Sequence, residues 1–129
     1  MLDSDVCIDV MRGRSHSVRS RLERMSPEEV AISSVVAAEL WTGVLKSREP
    51  ERSRIALNAF LVYVAVLDWP AEAATTYGQI RAELEHSGKS IGAMDLLIAA
   101  HAIHETATLI TRNQSEFRRV DGLKLETWN

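Results

Sequence analysis

The sequence predicts an α/β protein: a three-layer α/β/α sandwich around a short, mostly parallel sheet. Three observations carry this. Short apolar or β-branched runs ("MLD", "EVAIS", "VAVLD", "ATLIT") alternate with longer amphipathic segments. Such alternation implies βαβ units, whose parallel strands are covered on both faces. The 129 residues are 46% hydrophobic but only 5% aromatic, an aliphatic, Ala-rich composition suited to helix packing.

Each element has its own reason. "MLD" leaves room only for a short buried strand, and "VCIDVMRG" predicts a helix stopped by Gly13. "HSVRSRLERM" sets Val18, Leu22 and Met25 at helical spacing. "EVAIS" reads as a strand, after which Ser33 or Ser34 caps the helix "VVAAELWTGVLKS". "PERSRIALNAFLVY" is an amphipathic helix, and "VAVLD" a β-branched strand. Pro70 opens the long helix "AEAATTYGQIRAELEHSG". "IGAMDLLIAAHAIHET" is a nearly all-apolar helix, "ATLIT" a buried strand, "QSEFRRV" one helical turn and "LKLETW" an edge strand. No repeat or linker interrupts the chain, which predicts a single domain over residues 1–129.

Composition excludes some classes. No apolar run approaches the roughly 18 residues of a membrane span. No charged-then-apolar leader suggests export. Cys7 is the only cysteine, so no internal disulfide forms, which fits a reducing cytoplasm. Eighteen acids against fifteen bases give a net charge of −3, unlike the usual nucleic-acid binder. The bases nevertheless cluster, at Arg12 to Arg24, Lys46 to Arg54 and Arg112 to Arg119. If four acids gathered in one metal-filled pocket, the remainder would stand at −3 + 4 = +1.

Several acids sit among apolar neighbours. Glu39 has Val35, Val36, Thr42 and Gly43 one helical turn away, and Asp95 has Ile91, Gly92, Ile98 and Ala99. A buried carboxylate requires a cation or a cluster of donors. Asp3 follows the first strand directly, at the strand edge where α/β ligands collect. "TRNQSEF" after the late strand adds Thr111, Asn113 and Glu116. Asn113 offers a carbonyl to a metal-bound water, and Glu116 reaches in from the short helix. An all-oxygen set without a thiol or histidine cluster suits Mg²⁺ or Mn²⁺ acting on a phosphate. Asp5 lines the pocket's edge or bonds the Asp3 loop, and Asp9 is expected to be solvated. Cys7 reads as core. His101 and His104 could hold zinc, but satisfying helix-end carbonyls explains them better.

These segments resemble the PIN-domain ribonucleases, and within them the VapC toxins. "MLDSDVCIDVMRG", "AISSVVAAELWTGV", "SIGAMDLLIAAHAI" and "ATLITRNQSEFRRVDGLKLETW" match the family's segments in order, over essentially the whole chain. The resemblance implies a Mg²⁺-dependent endoribonuclease acting on structured RNA such as tRNA or rRNA. It implies the toxin of a type II toxin–antitoxin pair, a homodimer, and an antitoxin protein that blocks the site and contacts operator DNA. Asp3, Glu39 and Asp95 fall on the metal-binding acids. Asn113 stands where many members have aspartate, so Asn113 or Glu116 supplies the fourth group. Asp5 replaces the commoner asparagine.

Three other readings compete for the same residues. A phosphatase with a DxD nucleophile fits "MLDSD" but lacks the lysine directly after "ATLIT" and a late DD pair. A receiver domain using Asp3, Asp5 and Asp68 fails on the same lysine and leaves Glu39 and Asp95 without a role. A catalytically idle PIN-like binding module is suggested only by Asn113.

Overall fold

In the computed structural model, which describes residues 1–128, the chain's first residues form the centre of the sheet. Strand β1 (Ala31–Ser33) pairs in parallel with β2 (Ala65–Leu67), Ile32 opposite Val66. Strand β3 (Thr108–Ile110) pairs in parallel with β4 (Lys124–Glu126), Leu109 opposite Leu125. Residues 1–3 join the two pairs. Leu2 bridges Ile110 in parallel, and its N–H donates to Ala31 O at 2.9 Å. The Asp3 N–H donates to Ile110 O, also at 2.9 Å. The order is therefore β2–β1–residues 1–3–β3–β4, with β1–β2, β3–β4 and the Leu2–Ile110 bridge all parallel. The expected "MLD" strand shrinks to one bridge because Asp3 already caps a helix.

Helices follow nearly every strand end: α1 (Ser4–Met11), α2 (His16–Glu23), α3 (Ser34–Lys46), α4 (Pro50–Leu61), α5 (Ala73–His86), α6 (Ala93–His104) and the single turn α7 (Gln114–Phe117). Helices α3 and α4 pack as one pair and α5 and α6 as another. Some boundaries differ from expectation. Helix α1 starts two residues early because the Asp3 carboxylate accepts the Ser4 N–H. Of the two expected caps of α3, Ser33 is the one that serves, accepting the Val35 N–H at 3.1 Å. Helix α5 begins three residues after Pro70, because residues 70–72 form a turn that Ala73 N–H closes on Pro70 O.

Leu2, Ile32, Val36, Leu57, Ile98, Leu109 and Phe117 form the driest part of the core. Cys7 is buried among them as expected, and burial pushes its thiol pKa well up. His101 is fully buried, whereas His104 is exposed. The two therefore do not share a metal site. The His101 Nδ1 lies 2.8 Å from Ser33 Oγ, tying α6 to the cap of α3, and burial holds its pKa below the usual histidine value. Among the described residues no helix is long and apolar enough to cross a membrane.

Helix α6 leaves through Thr106, whose φ of 53° is left-handed. That conformation strains a β-branched residue by about 1–2 kcal/mol. Glycine relieves the strain but adds unfolded-state entropy worth about 0.4–1 kcal/mol. Thr106→Gly should therefore be neutral or stabilising, by up to about 1 kcal/mol. Denaturant midpoints at unchanged slope read this directly. A clearly lowered midpoint would show that the Thr106 side chain makes contacts worth more than the strain.

Candidate active site

At the carboxyl edge of the sheet, polar side chains form one hydrogen-bonded arc. Asp3 is 6% exposed. Its Oδ1 accepts the Ser4 N–H at 2.8 Å and its Oδ2 accepts the Thr111 hydroxyl at 2.7 Å. The Ser4 hydroxyl turns the other way and donates to Glu39 Oε1 at 2.6 Å. The Thr111 Oγ1 accepts the Asn113 N–H at 3.0 Å, and Asn113 Nδ2 donates to Glu116 Oε2 at 3.2 Å. The arc thus runs Glu39–Ser4–Asp3–Thr111–Asn113–Glu116, from α3 to α7.

Asp95 faces this arc from the first turn of α6. An acid there is ordinarily favoured by the helix dipole, by about 0.3–1 kcal/mol. Here crowding wins. Asp95 is pushed up to about 7, first by desolvation, then by hydrogen-bonding proximity to Glu116 and the charges of Asp3, Glu116 and Glu39. The Asp3 carboxyl is also raised, chiefly by burial and further by the charges of Asp5 and Glu39; hydrogen bonds from Thr111 and Ser4 oppose this. All five predicted site residues therefore meet here: Asp3, Glu39, Asp95, Asn113 and Glu116.

The arc's donors are hydroxyls and amides, which leave its negative charge intact. Among the described residues, no basic side chain forms an ion pair with Asp3, Glu39, Asp95 or Glu116. Neither Arg48 nor Lys46 reaches Glu39. An all-oxygen, uncompensated donor set suits a hard divalent ion. Among the described residues no three Asp, Glu, His or Cys side chains are grouped closely enough to hold a metal ion between them. Mg²⁺ keeps several waters and takes only one or two direct carboxylates.

Asp5 and Asp9 have a different task. The Arg112 N–H donates to Asp5 Oδ2 at 3.2 Å, and its guanidinium lies 3.1 Å from Asp9 Oδ2 and 3.9 Å from Asp5 Oδ2. Asp9 was expected in solvent. Its side chain is instead only 15% exposed, because Arg112 arrives from the loop after β3. Sequence reading missed the roles of Ser4 and of the Thr111 hydroxyl. The available signal for Ser4 was its place between Asp3 and Asp5, and for Thr111 its place directly after a strand end.

The PIN-domain family profile matches residues 1–123. This chain belongs to the PIN-domain family. Ribonuclease VapC2 of Rickettsia felis is 42% identical over 130 residues, covering 100% of this chain and 97% of that one. The tRNA(fMet)-specific endonuclease VapC of Shigella flexneri is 41% identical, with 100% and 97% covered. The crystal structure of VapBC2 from Rickettsia felis bound to a promoter DNA fragment matches with a TM-score of 0.90 and 39% identity, over 100% and 98% of the two chains. This PIN domain is accordingly a nuclease of the VapC type, in a family that uses divalent metal.

The raised Asp95 pKa has a sign. Between its ordinary 3.8 and about 7, the folded PIN domain binds a proton that the unfolded chain has released. Metal-free stability should therefore fall as pH rises across that window and then level off. Asp95→Asn removes this fall and should melt no lower than wild type at pH 8 in EDTA. Adding Mg²⁺ should raise the wild-type melting temperature and the variant's much less. A variant that melts well below wild type in EDTA, yet responds fully to Mg²⁺, would make Asp95 a structural acid.

Proposed function

We propose that residues 1–129 act as a single endoribonuclease unit, with Asp3, Glu39 and Asp95 holding Mg²⁺ or, alternatively, Mn²⁺. The observation that supports this most is the meeting of Asp3, Glu39, Asp95 and Glu116 without a balancing cation, where burial first and the neighbouring acids next raise the Asp95 pKa. When bound, the ion supplies neutralising charge at the scissile phosphate and makes the attacking water more acidic. The Ser4 hydroxyl orients Glu39, and the Thr111 hydroxyl orients Asp3. The Asn113 amide holds Glu116 toward Asp95, so an uncharged residue at position 113 keeps a carboxylate in the fourth place. This arrangement favours Glu116 as the fourth acid and Asn113 as its positioning residue.

The substrate proposed is a structured RNA, such as the tRNA named for the Shigella flexneri relative. The partner proposed is a cognate antitoxin, by likeness to the VapBC2 complex on promoter DNA. In that arrangement the antitoxin contacts the operator. We place the protein in a reducing cytoplasm, where buried Cys7 remains a thiol.

Purified protein should cut RNA with Mg²⁺ or Mn²⁺ and not in EDTA. Asp3→Asn, Glu39→Gln and Asp95→Asn should each lose more than the roughly 10–100-fold typical of a supporting residue, and Asn113→Ala a loss within that range. Cleavage that survives complete chelation would overturn the reading.

A homodimer is proposed as well. Val18 and Leu22 of α2 are buried in the core and offer no dimer surface. The most exposed large apolar side chains are Leu45, Ile55 and Val62, at 76%, 68% and 68% exposure on and just after α3 and α4. Light scattering should give about twice the 14.4 kDa chain mass. Leu45→Glu with Ile55→Glu should halve it; a wild-type monomer at micromolar concentration would count against the dimer.

A further inference from the structure

A groove of about 620 Å³ lies between α1, α3 and the α3–α4 turn. Its floor is apolar, with Ile8 and Val44 among its residues. Four arginines line it, Arg12, Arg14, Arg48 and Arg52, against two acids, Glu39 and Glu49. Its local balance is thus positive in a chain whose net charge is −3.

Elsewhere most arginine side chains are engaged. Arg19 pairs with Glu23, Arg54 with Glu51, Arg81 with Glu85 and Arg112 with Asp9. Arg21 lies over the Trp128 ring at 4.2 Å, and Arg119 bonds Ser90 O. Within the groove only Arg52 is paired, with Glu49 at 3.4 Å. Among the described residues Arg12, Arg14 and Arg48 have no side-chain hydrogen bond or ion pair. Three uncommitted guanidinium groups therefore border one concave surface.

The groove is also continuous with the acidic arc. Glu39 lines it and belongs to the arc through its bond from Ser4. We propose that this groove is the track for a single-stranded segment of the RNA substrate. Phosphates lie against Arg12, Arg14 and Arg48, bases rest toward the apolar floor, and the strand is fed past Glu39 to the site. The assignment rests on the ribonuclease reading. Charge and continuity favour RNA over an acidic peptide, because one polyanion spanning both regions presents a phosphate to the acids and others to the arginines. Arginine is suited to this, with a fixed fork of donors that meets two phosphate oxygens at once.

The test uses the full chain. Arg12→Ala with Arg48→Ala is compared with Arg12→Lys with Arg48→Lys, and with Arg81→Ala as a control whose partners lie on α5. Two readouts separate the questions: steady-state RNA cleavage with Mg²⁺, and anisotropy binding of an uncleaved single-stranded oligoribonucleotide in EDTA. The alanine pair should raise KM and Kd by about tenfold or more, with kcat within about twofold and the melting temperature unchanged. The logarithmic salt dependence of binding should flatten by about 1.4, since each single-strand phosphate contact contributes about 0.7. The lysine pair should recover most of the affinity, and Arg81→Ala should change nothing. Unchanged KM and Kd in a wild type that cuts RNA would overturn the track. So would unchanged RNA affinity combined with weakened capture of an acidic peptide, which would assign the groove to a protein partner. If wild type cuts no RNA, the ribonuclease reading falls, while the EDTA binding arm still decides the groove.

Discussion

The insertion of residues 1–3 between β1 and β3 is the constraint on which the site depends. The backbone bonds of Leu2 to Ala31 and of Asp3 to Ile110 fix where the sheet's carboxyl edge lies. They also fix which side chain emerges there. Because side chains alternate along extended chain, a slip of one residue would turn Asp3 toward the core and bring Leu2 to the edge. In the observed register Leu2 is fully buried and Asp3 sits where three chain segments meet. Ser4 then follows as the first residue of α1 with its hydroxyl toward Glu39, and Thr111 follows Ile110 with its hydroxyl toward Asp3.

Burial explains why so much of this was legible from sequence and why some was not. Glu39 and Asp95 stood out because a carboxylate one turn from Val36 or Ile98 has no ordinary solvated role. The strands were legible because β-branched and apolar runs separated by helical spacing admit few topologies. Short-range bonding was less visible. Whether "MLD" is a strand or a cap depends on one carboxylate accepting the next residue's N–H. Whether Asp9 is solvated depends on Arg112, which is 103 positions along the chain (112 − 9) and reaches it only in the folded sheet. Periodicity in α2 and α4 correctly marked apolar positions but not which of them face the core and which remain exposed, since that requires knowing the neighbouring helix.

Donor type explains how the arc can remain charged. An arginine beside Asp3 or Asp95 would stabilise the metal-free protein, and would also neutralise the charge that attracts a divalent ion. Hydroxyls of Ser4 and Thr111 and the amide of Asn113 orient the carboxylates without neutralising them. Their cost appears as the raised Asp95 pKa. The Arg112 guanidinium pairs with Asp9 and Asp5, so these two extra acids of α1 hold a cation rather than joining the donor set.

The acidic average and an anionic substrate are compatible because the charges are segregated. Interactions between exposed charges fade over about 8 Å at physiological ionic strength. What a phosphate meets is therefore the local balance and not the net −3. Four acids concentrated at one sheet edge account for more than the whole excess, and a bound divalent ion would halve the negative charge of that edge. Arginines whose partners are helical neighbours, such as Arg19 and Arg54, add little field because their charge is already matched. The unmatched ones flank a groove leading to Glu39, so the surface an approaching strand meets is basic along the groove and acidic only where a metal belongs.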